Sequence, residues 1–447
     1  MRRLGTERSD GATMTQAWTP LAPAASLWAS TAEPLRAFPS LAGDIQADVV
    51  IIGAGYTGLS AAHHIAKSGL APVVLEANRP GWGASGRNGG VISAKFRQSF
   101  RGIDAGYGRA MARRMYEIAH ESVEMVEELV SEFEISARLS RNGQVKAAHN
   151  HATLQAAVDE ADWMKREMGD TEVRILDARQ VREETGSQAF VGGVLNPGSG
   201  GIHPLNYLHG LAEGVARRGV AIFQESPALA LRRDNGMIIA ETPQGAVRAR
   251  QAIIATNSYS DLTPATRHLQ HTLVPFRSAI IATDRLPRNL AGYLMPTGRT
   301  YTETKRMMRW FRMVDDRVIF GGRGAFGKQD SEAAFDALRK AMIGIFPELA
   351  DIPLAFKWSG LVAMTLDSVP HIGRLDDRTL FSMGYNGAGV AMSSLMGRYL
   401  AAFVRGEKPD VGLLDASRLK IIPLYPLREP AVRMVAGWYQ FLDAIGQ

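Results

Sequence analysis

The most constraining feature of the sequence is a strand, a glycine turn and the start of a helix within residues 47–62. Val49 to Ile52 is a short, wholly apolar, β-branched run, which is typical of a parallel strand covered on both faces. In the turn that follows, Gly53 permits a sharp bend, Gly55 has no Cβ to block a pyrophosphate, and Gly58 lets the helix approach the strand. This spacing predicts the first βα unit of a dinucleotide-binding fold.

A second strand supports that reading. Pro72 to Leu75 is again apolar, and it ends in Glu76, which follows Gly53 by 23 residues. A carboxylate at this distance is placed to meet a ribose hydroxyl, while the N–H groups of the first helical turn face the phosphates. The acid favours a free 2′-hydroxyl, and therefore FAD or NAD rather than NADP.

Two more glycine-rich turns occur further along the chain. Residues 81–90 read GWGASGRNGG, and residues 379–391 read as a strand, a glycine turn and the start of a helix that reaches about Val404. So many glycines indicate backbone packed against something flat or bulky, and the second helix N-terminus can stabilise negative charge. Three separated turns indicate a ligand longer than NAD that is gripped at several points, and FAD meets that requirement.

Composition limits the remaining possibilities. The 447 residues and 46% hydrophobic content predict a globular protein of two domains. The absence of cysteine excludes disulfides, thiolate metal sites, a cysteine nucleophile and a cysteinyl link to flavin. It is also compatible with a cytoplasmic location, which we expect because the N-terminal stretch lacks the continuous apolar segment of a signal peptide. Met14 is a candidate for the true start.

Charge and hydropathy point away from nucleic acid and membrane. The formal net charge is +6, but lysine and arginine are dispersed among acids, so we expect no nucleic-acid face. No run of 18 apolar residues occurs, and we expect no membrane span.

The rest of the chain supplies helices and a second sheet. Apolar residues from Met111 to Phe133 recur at helical spacing, and residues 153–168 and 204–217 also read as helices. Between 263 and 356 the pattern changes to alternating strands, such as Ser278 to Thr283, which predicts an antiparallel sheet.

The predicted fold class is α/β (α+β overall), with a Rossmann-like FAD-binding domain built on a parallel sheet and a substrate domain built on a mostly antiparallel sheet. The predicted division is an N-terminal arm (1–43), a discontinuous FAD-binding domain (44–100, 203–262 and 357–420), a substrate domain (101–202 and 263–356) and a C-terminal helical tail (421–447).

The runs GAGYTGLSAA, GWGASGRNGG and GYNGAGVAMSSLMGR resemble the FAD-dependent amine oxidases of the D-amino-acid oxidase, glycine oxidase and sarcosine oxidase superfamily. Within it, the chain is most similar to the γ-glutamylputrescine oxidases. The resemblance extends from Ser26 to about Pro409 and includes AIIATNSYS, VIFGGR and the segment 367–373.

The resemblance implies bound FAD and an oxidase reaction on a primary or secondary amine. Many sarcosine oxidase relatives attach their flavin covalently through cysteine, but this chain has no cysteine, so we expect noncovalent FAD. A hydride moves from a carbon next to the amine nitrogen to flavin N5, the imine is hydrolysed, and O2 reoxidises the flavin to give hydrogen peroxide. The implied cofactor contacts are Gly53, Ala54, Gly55, Tyr56, Thr57, Gly58, Glu76, Ala77, Ser85, Gly86, Arg87, Asn88, Gly89, Thr256, Asn257, Gly384, Asn386, Gly387, Ala388, Gly389 and Val390.

The sequence also departs from the family just after the last glycine turn. Monomeric sarcosine oxidases carry a lysine just after the last glycine turn that meets the substrate carboxylate, whereas this chain has Val390, Ala391 and Met392. A substrate α-carboxylate held in that manner is therefore not expected.

Candidates for the substrate pocket come from the predicted second sheet. They are Trp310, Arg312, Arg323 and Trp358, and an arginine among them could bind an acidic tail such as a γ-glutamyl group. A surface arginine or a core tryptophan explains each of them equally well.

Histidines and lysines supply further candidates. His203 and His371 are candidate acid/base groups, although a hydrogen-bonded structural role is favoured. Lys305 and Lys357 are candidates for a positive charge that assists O2.

Other functions stay open at this stage. A dehydrogenase that passes electrons to a quinone or an electron-transfer protein would use the same residues, and a noncatalytic flavin scaffold or a component of an RNA-modifying assembly is a further alternative. The sequence does not predict the oligomeric state.

Overall fold

The computed structural model describes residues 18–325 and 331–444. The helices of eight residues or more are α2 (Tyr56–Lys67), α3 (Phe100–Tyr107), α4 (Arg109–Glu132), α5 (His151–Met168), α6 (Ala178–Thr185), α7 (Pro204–Arg217), α9 (Glu332–Ile345), α10 (Gly389–Val404) and α11 (Arg428–Ala444), and the shorter ones are α1 (Leu27–Thr31) and α8 (Arg288–Tyr293).

The first sheet carries the predicted nucleotide-binding strands. Its strands are β1 (Ile45–Ile52), β2 (Pro72–Leu75), β8 (Ala221–Phe223), β9 (Ala230–Asp234), β10 (Met237–Thr242), β11 (Gly245–Ile254), β17 (His371–Arg374) and β18 (Thr379–Met383). The order is β17-β18-β11-β1-β2-β8, and the five strands from β18 to β8 are parallel. The carboxyl ends of parallel strands meet at one edge, which brings the first and third glycine turns together.

The second sheet is mostly antiparallel, as predicted. It contains β4 (Gln144–Ala148), β5 (Arg174–Asp177), β6 (Gly192–Asn196), β12 (Val274–Thr283), β13 (Thr300–Glu303), β14 (Arg309–Val314), β15 (Arg317–Ala325) and β16 (Leu354–Met364), in the order β16-β12-β15-β14-β13-β4-β6-β5. Only β13 and β4 pair in parallel among the described strands of this sheet. A separate ribbon joins β3 (Val91–Ile92) to β7 (Gly200–Gly201).

Two elements pack differently from the predicted division into domains. The strand β16 pairs with β12 over ten positions, so the stretch from residue 357 to 364 belongs to the second sheet and not to the nucleotide-binding sheet. The helix α4 shares the hydrophobic core of α2, α7 and α10, because its apolar face, with Met115 and Ile118, packs there. The division into domains by residue number otherwise stays a prediction.

Close backbone packing fixes α10 against α2, the helix that follows the first glycine turn. A Cβ on Gly397 of α10 would lie 2.5 Å from the Cβ of Ser60 in α2, so the two helices approach without an intervening side chain. The Ser60 hydroxyl donates to the Ser394 carbonyl at 2.6 Å. The third glycine turn, which precedes α10, is thereby held beside the first. Across the described ranges, none of the helices is both long enough and apolar enough to span a bilayer.

Candidate functional site

Two of the glycine turns are built alike, each around a pair of glycines five residues apart. Gly53 has φ +108°, and a Cβ on Gly58 would lie 1.9 Å from the Gly53 carbonyl oxygen. Gly81 has φ +85°, and a Cβ on Gly86 would lie 2.1 Å from the Gly81 oxygen. Any side chain at position 58 or 86 would clash with backbone, so glycine is required at both.

Glu76 closes the first turn. One carboxylate oxygen accepts a hydrogen bond from the Ala54 N–H at 2.8 Å, and the other accepts from the Asn78 N–H at 3.0 Å. Burial raises the pKa of this carboxyl group, and the backbone hydrogen bonds oppose that rise. The group also lines the central cavity, where a ribose hydroxyl could donate to it.

Tyr56 and Ser85 join the first turn to the second. The Tyr56 N–H donates to the Ser85 hydroxyl oxygen at 3.2 Å, and the Tyr56 hydroxyl lies 2.8 Å from both the Ser85 and Pro204 carbonyl oxygens. Burial raises the pKa of the Tyr56 hydroxyl, so it stays protonated and can donate. The Asn88 amide donates to the Ser85 carbonyl at 2.9 Å and adds a further link.

Hydroxyl and amide groups join the first turn and the end of β11 to the third turn. The Thr57 and Tyr385 hydroxyls lie 2.6 Å apart within the core. The Gly384 N–H donates to the Asn257 side chain at 2.9 Å. Asn257 and Asn386 both have positive φ, at +46° and +52°, which asparagine tolerates better than most residues. The three turns therefore form one connected structure.

The helices that follow the first and third turns lack side-chain caps. Neither Gly55, which precedes α2, nor Ala388, which precedes α10, supplies a side chain that accepts from the first helical turn. Both residues line the cavity, so first-turn N–H groups face it, and of these the Tyr56 N–H is already bonded to the Ser85 hydroxyl. Such N-termini favour negative charge.

A cavity of about 570 Å³ runs along all three turns and reaches the second sheet. Seventeen of the predicted cofactor contacts line it: Gly53, Gly55, Tyr56, Thr57, Glu76, Ala77, Ser85, Arg87, Asn88, Gly89, Thr256, Asn257, Asn386, Gly387, Ala388, Gly389 and Val390. The other four do not line the cavity; they are Ala54, Gly58, Gly86 and Gly384.

The second sheet forms the opposite wall. Lys146 pairs with Thr302, Thr302 with Trp310, and Trp310 with Gly321, so these positions form a row across four strands. The Trp310 ring lies over glycine on both sides, because a Cβ on Gly321 or Gly89 would come within 2.1 Å and 2.5 Å of it. Of the predicted substrate-pocket residues whose side chains the structure describes, Trp310 lines the cavity and Arg312 and Trp358 do not.

Arg312 lies on the same strand but does not reach the cavity. Its guanidinium donates to the Gly90 carbonyl at 2.8 Å and to the Ile202 carbonyl at 3.2 Å, beneath the β3–β7 ribbon. Burial lowers its pKa to about 10. The geometry makes Arg312 a support for the second glycine turn.

Trp358 is buried and also lies behind the wall, where its indole N–H donates to the Arg87 carbonyl at 3.0 Å. The backbone of Arg323 belongs to β15, but its side chain lies outside the described residues.

The predicted acid/base and oxygen-assisting candidates all lie away from the cavity. His203 caps α7 by accepting from the Asn206 N–H at 3.1 Å, and buried His371 lies 3.1 Å from an Asp367 oxygen. Lys357 pairs with Glu332 at 2.7 Å, and Lys305 does not line the cavity. Among the described residues, no histidine lines the cavity.

Several lining residues were not predicted from the sequence. They are Lys95, Phe96, Lys146, Tyr259, Phe276, Thr302 and Glu303. Gln144 and Lys146 alternate with apolar Val145 and Ala147, a pattern that indicates one polar face on β4. Lys95 had no such signal, because it lies in irregular backbone after β3.

The residues fit FAD. The required glycines lie at two turns, a carboxylate faces the cavity beside the first turn, and two uncapped helix N-termini face the same space. The ADP half could lie on the first turn and Glu76, and the ring end could lie between the second and third turns and the second sheet.

Fold and site thus define a dinucleotide-dependent oxidoreductase. The chain matches the model of the DAO family, described as FAD-dependent oxidoreductases, over residues 48–403, and it belongs to that family. It is 31% identical over 412 residues to a probable oxidoreductase OrdL of Haemophilus influenzae, with 91% of this chain and 94% of that protein covered.

A second relative and a solved structure agree with this assignment. The γ-glutamylputrescine oxidoreductase of Escherichia coli is 30% identical over 428 residues, covering 94% of this chain and 98% of that protein. The crystal structure of glycine oxidase from Bacillus cereus shares the fold with a TM-score of 0.67 at 18% identity, covering 82% of this chain and 99% of that one.

Proposed function

We propose that this FAD-dependent oxidoreductase oxidises a primary or secondary amine, with a γ-glutamylated polyamine or a related amine as substrate and O2 as the electron acceptor. The observation that carries the proposal is the single cavity shared by the three glycine turns and the face of the second sheet. The near full-length similarity to the Escherichia coli enzyme supports the choice of amine.

Bound FAD would supply the two-electron chemistry at a C–H bond next to nitrogen. The chain's own contribution is mainly positional. Trp310, fixed between Gly89 and Gly321, gives the substrate a rigid aromatic wall, and the uncapped N-terminus of α10 favours negative charge at the ring end. Since no histidine lines the described cavity, we expect the amine to be presented without an imidazole base.

Anaerobic mixing of the purified holoenzyme with candidate amines tests the proposal. The panel contains γ-glutamylated diamines, free polyamines and N-methyl amino acids, and flavin absorbance is followed. We expect the γ-glutamylated amines to bleach the flavin fastest. A flavin that stays oxidised with every amine would overturn the proposal.

The electron acceptor needs a separate assay. After reduction, admission of air should restore the flavin absorbance and release one hydrogen peroxide per flavin. Slow reoxidation of the flavin in air together with rapid reoxidation by a quinone would show that the enzyme is a dehydrogenase and not an oxidase.

A further inference from the structure

Two lysines that the sequence did not single out line the substrate end of the cavity. Lys146 projects from β4 in the row that also holds Thr302 and Trp310, and Lys95 follows the β3–β7 ribbon. They are close enough for the charge on Lys146 to act on Lys95. Lys146 belongs to the second sheet through β4, and Lys95 lies on the same side of the cavity because it is within reach of the Lys146 charge.

The carboxylates of the cavity are engaged elsewhere. Glu303 pairs with Arg309 at 3.2 Å, and Glu76 accepts backbone hydrogen bonds at the first turn. Among the described residues, no carboxylate lies within ion-pair distance of Lys95. The half-buried ammonium group of Lys95 therefore faces the cavity without a counter-ion from the described chain.

We propose that Lys95, assisted by Lys146, binds a carboxylate of the substrate, so that the enzyme selects amines that also carry a carboxylate. This inference rests on the proposed function and identifies the side chain that binds the acidic group of the substrate. It gives that role to Lys95 instead of Arg312, whose guanidinium is occupied by the Gly90 and Ile202 carbonyls.

Burial, with a smaller contribution from the charge of Lys146, lowers the pKa of Lys95 to about 8. Other charged groups near this end are Arg97, the Glu303–Arg309 pair and Glu160, which interacts with Lys146. Because only the protonated ammonium attracts an anion, carboxylate affinity should be constant well below pH 8 and fall as the pH rises through 8.

Binding of ligands that cannot be oxidised tests this inference without turnover. The oxidised holoenzyme is titrated with valerate and with valeramide, which has the same chain length and no charge, and the change in the flavin spectrum is followed. We expect Lys95→Met to weaken valerate binding by about tenfold and to leave valeramide binding unchanged. Lys357→Met, at a surface lysine paired with Glu332, should behave as wild type.

A conservative variant separates charge from structure. Lys95→Arg should keep valerate affinity and abolish its decline above pH 8, because arginine does not titrate there. Equal effects of Lys95→Met on valerate and valeramide would overturn the inference. A loss of FAD from Lys95→Met would overturn it too, because the lysine would then serve the cofactor. Failure of amines to reduce the flavin would refute the proposed function. The titration is independent of that outcome, because it measures binding and not flavin reduction.

Discussion

Trp28 and Trp358 lie edge to face with ring centroids 6.3 Å apart, and their indole N–H groups donate to consecutive carbonyls. Trp28 donates to Asn88 at 2.8 Å, and Trp358 donates to Arg87 at 3.0 Å. One tryptophan comes from the N-terminal arm and the other from the second sheet. The second glycine turn is therefore clamped from both sides, and the arm is part of the site's support.

Trp28→Phe keeps a ring in the clamp and removes its donor. The Asn88 carbonyl then loses its indole partner, which costs about 1–3 kcal/mol. We expect the second turn to loosen and FAD to be retained roughly tenfold less tightly, as measured by the fluorescence of released flavin. Trp358→Phe, which removes the matching donor to Arg87, should behave similarly. Wild-type retention by both variants would show that the clamp does not hold the cofactor turn.

We predict that the stability of the protein depends on pH through His203, which contacts Thr31 of the N-terminal arm. Its Nδ1 accepts from the Asn206 N–H at 3.1 Å, so Nε2 carries the proton toward the Thr31 hydroxyl at 3.0 Å. Burial lowers the pKa of His203 to about 4, below its ordinary value of about 6.5. The neutral ring thus contributes stability that is complete above pH 6.5 and is lost as the pH falls through 4.

His203→Asn keeps a capping side chain that does not titrate. The thermal midpoint of the wild type should fall more steeply than that of the variant between pH 6.5 and 4, and the two curves should run parallel above pH 7. Parallel curves throughout this range would contradict the assignment of a neutral His203.

Gly321→Ala tests whether the position of Trp310 matters for the reaction. The new Cβ would lie 2.1 Å from the Trp310 ring, so the ring must move. We expect FAD to stay bound while flavin reduction by substrate slows on the order of tens to a hundredfold, because small misplacements of a reacting group are costly. Gly292→Ala, where a Cβ meets nothing within 4 Å, is the control. An unchanged rate of flavin reduction would show that Trp310 does not position the substrate.

The nucleotide half of the site was predictable from the sequence because its signals are local. Each of the first and third turns follows a buried strand, and parallel strands bring such turns to one edge. The glycine pairs 53/58 and 81/86 are also visible in the sequence, because no side chain fits at the second position of either pair and glycine is required there.

The substrate half was not predictable to the same extent because it depends on long-range strand order. The parallel pairing of β13 with β4 brings Thr302 beside Lys146, more than 150 residues apart in the chain. Trp310 and Arg312 share one face of β14, yet the β3–β7 ribbon covers Arg312 and leaves Trp310 on the cavity. The alternation of residues along a strand predicts which face of the sheet a side chain lies on. It does not predict which other segment of the chain covers that face.

Gly55→Val tests the central claim most directly, namely that FAD occupies the cavity along the glycine turns. A Cβ at this position would meet only the Ser85 hydroxyl, at 3.0 Å, so the fold can accept valine while its methyl groups enter the cavity. The measurement is the ratio of FAD to protein after purification, with Gly344→Ala on an open part of α9 as the control. We predict that Gly55→Val folds with wild-type circular dichroism and contains little FAD, whereas Gly344→Ala retains the wild-type ratio. A Gly55→Val protein that stays yellow at the wild-type ratio would contradict the account.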